Sequence, residues 1–135
     1  MYHLAMVDDD DIETQMVARA IQLRQGLKLE RFETAEDAEK LWKNAGSAET
    51  SHDLILIDLE MPIINGYEMV RLIREAPYPV RPLLVAYSGT LDGIPPAKLA
   101  DFDYAFEKPI RLRDLDKLIE RFSDLIAQHR LSMAG

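Results

Sequence analysis

Four apolar runs in this sequence each lead into groups that can do chemistry. Leu4-Ala5-Met6-Val7 runs into Asp8-Asp9, Leu54-Ile55-Leu56-Ile57 into Asp58, Leu83 to Tyr87 into Ser88-Gly89, and Tyr104-Ala105-Phe106 is followed closely by Lys108. Asp8 and Asp9 stand side by side, and two adjacent carboxylates repel unless a cation shares the site. With Asp58 the acids carry three negative charges and Lys108 returns one positive charge, so a divalent ion balances the set. Oxygen ligands suit Mg²⁺, which keeps several waters that phosphate oxygens can replace. An ionised Asp58 can then attack phosphorus directly and form an acyl phosphate. Phosphoryl transfer needs mainly positioning and charge neutralisation. Lys108 can pair with one phosphoryl oxygen, Ser88 can donate to another, and Gly89 leaves room for the incoming group.

Residues so far apart meet only if the elements beneath them converge. Apolar runs alternate with helical periodicity, the pattern of a parallel sheet covered by helices on both faces. In such a sheet ligands bind at the carboxyl edge of the strands. The reading is five strands and five helices. Strand one is Tyr2 to Val7, followed by acids that cap a helix carrying Ile12, Met16, Ala20 and Ile21 on one face. Strand two is Leu27 to Phe32, and Thr34 caps a helix through Ala38, Leu41 and Trp42 that ends near Asn44 to Gly46. Strand three is Leu54 to Ile57. Asn65-Gly66 opens a helix with Met69, Val70, Leu72 and Ile73, stopped by Pro77 and Pro79. Strand four is Leu83 to Tyr87. Gly93, Pro95 and Pro96 restrict the fourth helix to a late start and a turn or two. The last helix is marked by Leu112, Leu115, Leu118, Ile119, Phe122, Leu125 and Ile126 at three-four spacing, with fraying after His129.

Composition narrows the function class. The chain has 135 residues with 47% hydrophobic and 30% charged side chains, which fits one soluble domain over residues 1–135 with one core. It has no cysteine, which excludes disulfides and thiolate metal sites. The start is too short and too soon acidic for a signal peptide, and no apolar stretch reaches membrane-spanning length, so the expected location is cytoplasmic and off the membrane. A net charge of -8 repels phosphate backbones and argues against direct nucleic-acid binding. His3, His52 and His129 share no spacing that suggests a metal site, and Trp42 and the methionines Met6, Met16, Met61 and Met69 read as core.

Val7-Asp8-Asp9, Asp58 with Met61-Pro62 and Asn65-Gly66, Ser88-Gly89 and Lys108-Pro109 occur in the order found in the receiver domains of two-component response regulators. The ordered set resembles that family over essentially the whole chain, most closely its single-domain, chemotaxis-regulator-like members. The resemblance implies a flavodoxin-like, doubly wound α/β fold with strand order 2-1-3-4-5. It implies Asp58 as phosphoacceptor, Asp9 as a direct Mg²⁺ ligand, Asp8 as an acid acting through water, and the backbone carbonyl of Glu60 as the remaining protein ligand. It further implies Ser88 as the switch hydroxyl beside Gly89, Lys108 as counterion and a cis bond before Pro109. The donor would be a phosphohistidine on a histidine kinase or phosphotransfer domain, and the output a changed affinity for a downstream protein. On this reading the chain catalyses only its own phosphorylation and dephosphorylation. The rival readings are an Mg²⁺-dependent aspartyl-phosphate phosphatase and a pseudo-receiver that only binds proteins.

Two departures bear on the switch. The family usually has an aromatic residue three places before the lysine, where this chain has Ala105. Strand alternation sends Tyr104 and Phe106 to the opposite face, so neither replaces it. Signalling through an aromatic flip is therefore not expected, and the segment 89 to 101 is the alternative route.

Overall fold

The computed structural model describes residues 2–45, 47, 51–61, 65–108 and 112–134. Five parallel strands, β1 (Tyr2–Val7), β2 (Leu27–Phe32), β3 (Leu54–Asp58), β4 (Leu83–Ser88) and β5 (Tyr104–Glu107), form one sheet in the order β2-β1-β3-β4-β5. Between and after them lie α1 (Asp11–Gln22), α2 (Ala35–Ala38), α3 (Lys40–Lys43), α4 (Gly66–Glu75), α5 (Pro96–Leu99) and α6 (Leu112–Ala134). Helix therefore occupies each of the five expected positions, the second one as two single turns joined at Glu39.

Central strands buried on both faces read as unbroken apolar runs, which is why β3 and β4 are buried at every residue. Period-two alternation then divides the core. Leu4, Met6, Leu54, Leu56 and Val85 face Val17 and Ile21 of α1 and Leu115, Ile119 and Phe122 of α6. Ala5, Val7, Ile55, Ile57, Leu84 and Ala86 face Leu41 of α3, Val70 and Ile73 of α4, and Phe102. Trp42 packs half-buried against this second layer. The strand β2 at the sheet edge shows alternating burial instead.

One helix face and three element ends differ from the sequence reading. On α1 the buried face is Thr14, Val17, Ala20 and Ile21, whereas Ile12 is 73% and Met16 36% exposed. The cap at Asp10 fixes the rotation of the helix, and Ile12 at its first turn points away from the sheet. The last helix continues through Ala134 rather than fraying after His129. His129 Nε2 lies 2.8 Å from the Arg81 carbonyl oxygen, and Arg130 pairs with Asp53, so the final turns are anchored back to the sheet. Strands β3 and β4 each run one residue further than the apolar runs, so Asp58 and Ser88 are themselves strand residues.

Candidate functional site

The register carries the chemical groups to one edge. Val7 pairs with Ile57, Asp58 with Tyr87, and Ser88 with Glu107, so Asp8, Asp58, Ser88 and Lys108 all emerge at the carboxyl end of the sheet. Asp8 is fully buried there, and its Oδ1 accepts the Asp10 N–H at 2.9 Å. The Asp10 carboxylate in turn caps α1 by accepting from Ile12 and Glu13 at 2.9 and 3.0 Å. Acids in a first helical turn favour the positive end of the helix dipole, and Asp11 and Glu13 both stand there.

Lys108 is the cation of the site, with its side chain only 7% exposed. Its backbone N–H donates to the Ser88 carbonyl at 2.6 Å. Its Nζ lies 2.8 Å from Asp58 Oδ1, 2.8 Å from Glu13 Oε2 and 3.7 Å from Glu60 Oε2, and 4.7 Å from the centre of the Tyr87 ring. Burial alone would push the ammonium down, but the hydrogen bonds and charges of Asp58 and Glu13 outweigh it and hold Lys108 above the usual lysine range.

Asp8, Glu13 and Asp58 each offer a carboxylate oxygen within 4.8 Å of those of the other two. Burial, the hydrogen bond with Glu13 and the charge of Asp58 push the Asp8 carboxyl up to about 8, against a lowering from the Asp10 N–H. Among the described residues no N–H or hydroxyl donor meets the buried Asp8 Oδ2. A buried acid with an orphaned oxygen beside two other acids suits a hard dication, and the all-oxygen donor set suits Mg²⁺ over softer metals. Asp9 is placed differently: its side chain is exposed, and it lies outside this close group.

Above Asp58 the space is already in use. Glu60 N–H donates to Asp58 Oδ1 at 2.9 Å, and Gly89 N–H donates to Glu60 Oε1 at 2.7 Å. A Cβ on Gly89 would stand 2.4 Å from that same oxygen, so the room that Gly89 leaves is filled by the Glu60 carboxylate. The Ser88 hydroxyl donates to the Thr90 carbonyl at 3.0 Å, within its own loop. Pro62 and Pro109 lie outside the described residues.

Sequence reasoning missed Glu13 and Tyr87. Glu13 was legible in principle: it stands one turn into a helix that starts beside Asp8, and the cap returns it over the strand end. Tyr87 is assigned by burial to the α6 side of the core, yet its ring also supports Lys108. At β5, Phe106 packs against the α1 and α6 layer and Ala105 against the other, as alternation requires. On the Ala105 face the nearby aromatic pair is Tyr67 and Phe102, whose ring centres are 6.5 Å apart.

Comparison with known proteins gives the same picture. The chain is 30% identical over 118 residues to the DNA-binding transcriptional regulator NtrC of Proteus hauseri, a match covering 86% of this chain and 23% of that protein. It is 26% identical over 135 residues to the peroxide stress-activated histidine kinase mak1 of Schizosaccharomyces pombe, covering 96% of this chain and 8% of that one. The chain thus spans less than a quarter of the length of either relative. The crystal structure of a CheY-like response regulator receiver domain protein from Methanospirillum hungatei JF-1 shares the fold, with a TM-score of 0.76, 98% coverage of both chains and 19% identity. The family model for the response regulator receiver domain matches residues 4–120, and on this ground the chain belongs to the receiver-domain family of response regulators.

Proposed function

We propose that residues 1–135 form one cytoplasmic receiver unit in which Asp58 accepts a phosphoryl group from a phosphohistidine on a histidine kinase or phosphotransfer domain. An oxygen of Asp58 attacks phosphorus, the phosphorus–nitrogen bond breaks, and the imidazole leaves with a proton. The observation that carries this reading is Lys108, buried and 2.8 Å from Asp58 Oδ1, which supplies a cation for the incoming oxygens.

Asp8, Asp9, Asp58 and the Glu60 carbonyl would hold Mg²⁺, with Glu13 next to them. Bound there, the ion would neutralise charge on phosphoryl oxygens. The chain's own residues do the rest. Gly89 N–H and Lys108, now engaged by Glu60, are the donors that phosphoryl oxygens need, so the Glu60 side chain must swing outward as the group arrives. Ser88 Oγ, once released from the Thr90 carbonyl, can donate to the phosphoryl group. That release moves the segment after β4, and it needs no aromatic flip because position 105 is alanine. The chain speeds only its own phosphorylation and dephosphorylation, and its output is altered affinity for a downstream protein. The test is intact mass after incubation with Mg²⁺ and acetyl phosphate: one alkali-labile phosphoryl adduct on the wild type and none on Asp58→Asn.

A further inference from the structure

The amino end of the sheet holds a second cluster, one that the receiver function leaves unused. His3 lies early in β1, Glu30 on β2 and His52 just before β3. The three residues come from separate stretches, yet each offers a ligand atom within 4.8 Å of those of the other two. The sequence reading found no shared histidine spacing because linear spacing does not report neighbours across a parallel sheet. In the register His3 pairs with Lys28 and Ala5 with Glu30, so His3 and Glu30 lie on the same face of the sheet. His52 closes over that face, its ring centre 4.5 Å from that of His3 and 5.7 Å from that of Phe32.

His52 is the buried member of this cluster. Its side chain is 0% exposed, and Nε2 lies 2.8 Å from Glu30 Oε1. An ionised carboxylate only accepts hydrogen bonds, so Nε2 carries the proton and Nδ1 is a bare lone pair. That Nδ1 is buried and has no hydrogen-bond partner among the described residues. Leaving such a group unmet counts against the fold. A dication that takes the place of the Nε2 proton would be held by His52 and Glu30 together, their ligand atoms being 2.8 Å apart.

We propose that His3, Glu30 and His52 form a binding site for a first-row transition dication, with Zn²⁺ the best match. Two imidazoles and one carboxylate are a donor set that zinc accepts, with water completing its coordination. Hard Mg²⁺ has no such preference for imidazole. Asp53 Oδ2 accepts the His3 backbone N–H at 2.8 Å, and Asp53 is itself held by Arg130, which fixes the strand backbone at His3. Entry is open on the Glu30 side, whose side chain is 45% exposed, and the exposed Lys28 side chain can turn to solvent. The site would tie β1, β2 and the start of β3 together. It stands about 17 Å from the acidic cluster, five residues along a strand at roughly 3.3 Å each, so it does not overlap the phosphoacceptor.

The test is calorimetric titration of the chelator-treated full chain with Zn²⁺ in the presence of excess Mg²⁺, which keeps the acidic oxygens occupied. One zinc per chain is expected, weakened at least about tenfold, or about 1.4 kcal/mol, by Glu30→Gln and by His3→Gln. Both positions reach the surface, so the variants should fold, as far-ultraviolet circular dichroism would verify. Asp58→Asn should bind zinc like the wild type. Binding that is equal in all variants, lost in Asp58→Asn, or absent in the wild type overturns the proposal.

Discussion

Replacing Asp8 by asparagine should stabilise the metal-free protein, although it removes a group from the functional site. Asp8 is fully buried, no N–H or hydroxyl among the described residues donates to its Oδ2, and Glu13 and Asp58 offer oxygens within 4.8 Å. The fold therefore prefers the protonated acid, whose carboxyl is pushed up to about 8 from an ordinary value of 3.8. Between those two values the folded state binds a proton that the unfolded chain has released, so stability falls as pH rises through the window. Each unit of separation is worth about 1.4 kcal/mol at most. Because Asp8 shares its proton with neighbouring acids that can rearrange, the net effect is smaller, about 2 kcal/mol. Urea unfolding with chelator present, repeated from weakly acidic to weakly alkaline pH, measures it. Wild type should lose stability as pH rises toward about 8, and Asp8→Asn should be about 2 kcal/mol more stable at the alkaline end with a flatter profile. Added Mg²⁺ should close most of the gap by stabilising the wild type alone. An asparagine variant that is less stable than wild type at alkaline pH, or equally steep in pH, would refute the electrostatic argument.

Other substitutions probe separate parts of the account. Glu60→Ala frees Gly89 N–H and Lys108 and should speed phosphorylation by acetyl phosphate several-fold, read as the rate of adduct formation, while moving the unfolding midpoint little because the side chain is 51% exposed. Lys108→Met leaves Asp58 and Glu13 without their shared ammonium and should cost about 3 kcal/mol in chelator, seen in urea unfolding, with part of the loss restored by Mg²⁺. Phe122→Ala empties the centre of the α6 face, where Phe122 is 1% exposed and its ring centre lies 6.0 Å from that of Phe106. It should cost about 3–5 kcal/mol, measured by the same unfolding, and leave the Asp58 chemistry intact in the folded fraction.

Much of this was legible from residue order. Apolar runs that end in Asp8, Asp58 and Ser88 placed those groups at one sheet edge because parallel strands point the same way, and the register bears this out. The caps at Thr34 and Asn65 were readable because side-chain acceptance of backbone N–H groups is local: Thr34 accepts from Asp37, and Asn65 from Tyr67 and Glu68. The short α5 followed from its prolines. What escaped depended on rotation and long-range contact. Ile12 and Met16 looked apolar enough for the core, but the Asp10 cap set the phase of α1 and turned them outward. Glu13 entered the site through that same phase. Glu60 over Gly89, and His52 against His3, are contacts between segments whose proximity no local pattern encodes.

The central claim is that the Lys108-paired carboxylate at the end of β3 is the phosphoacceptor. Intact-mass measurement after incubation with Mg²⁺ and acetyl phosphate tests it most directly, followed by fragmentation to locate the added group. The account predicts a single alkali-labile adduct on Asp58 that is absent from Asp58→Asn. An adduct on another residue, an unmodified wild type, or rapid multiple turnover of phosphate esters would contradict it.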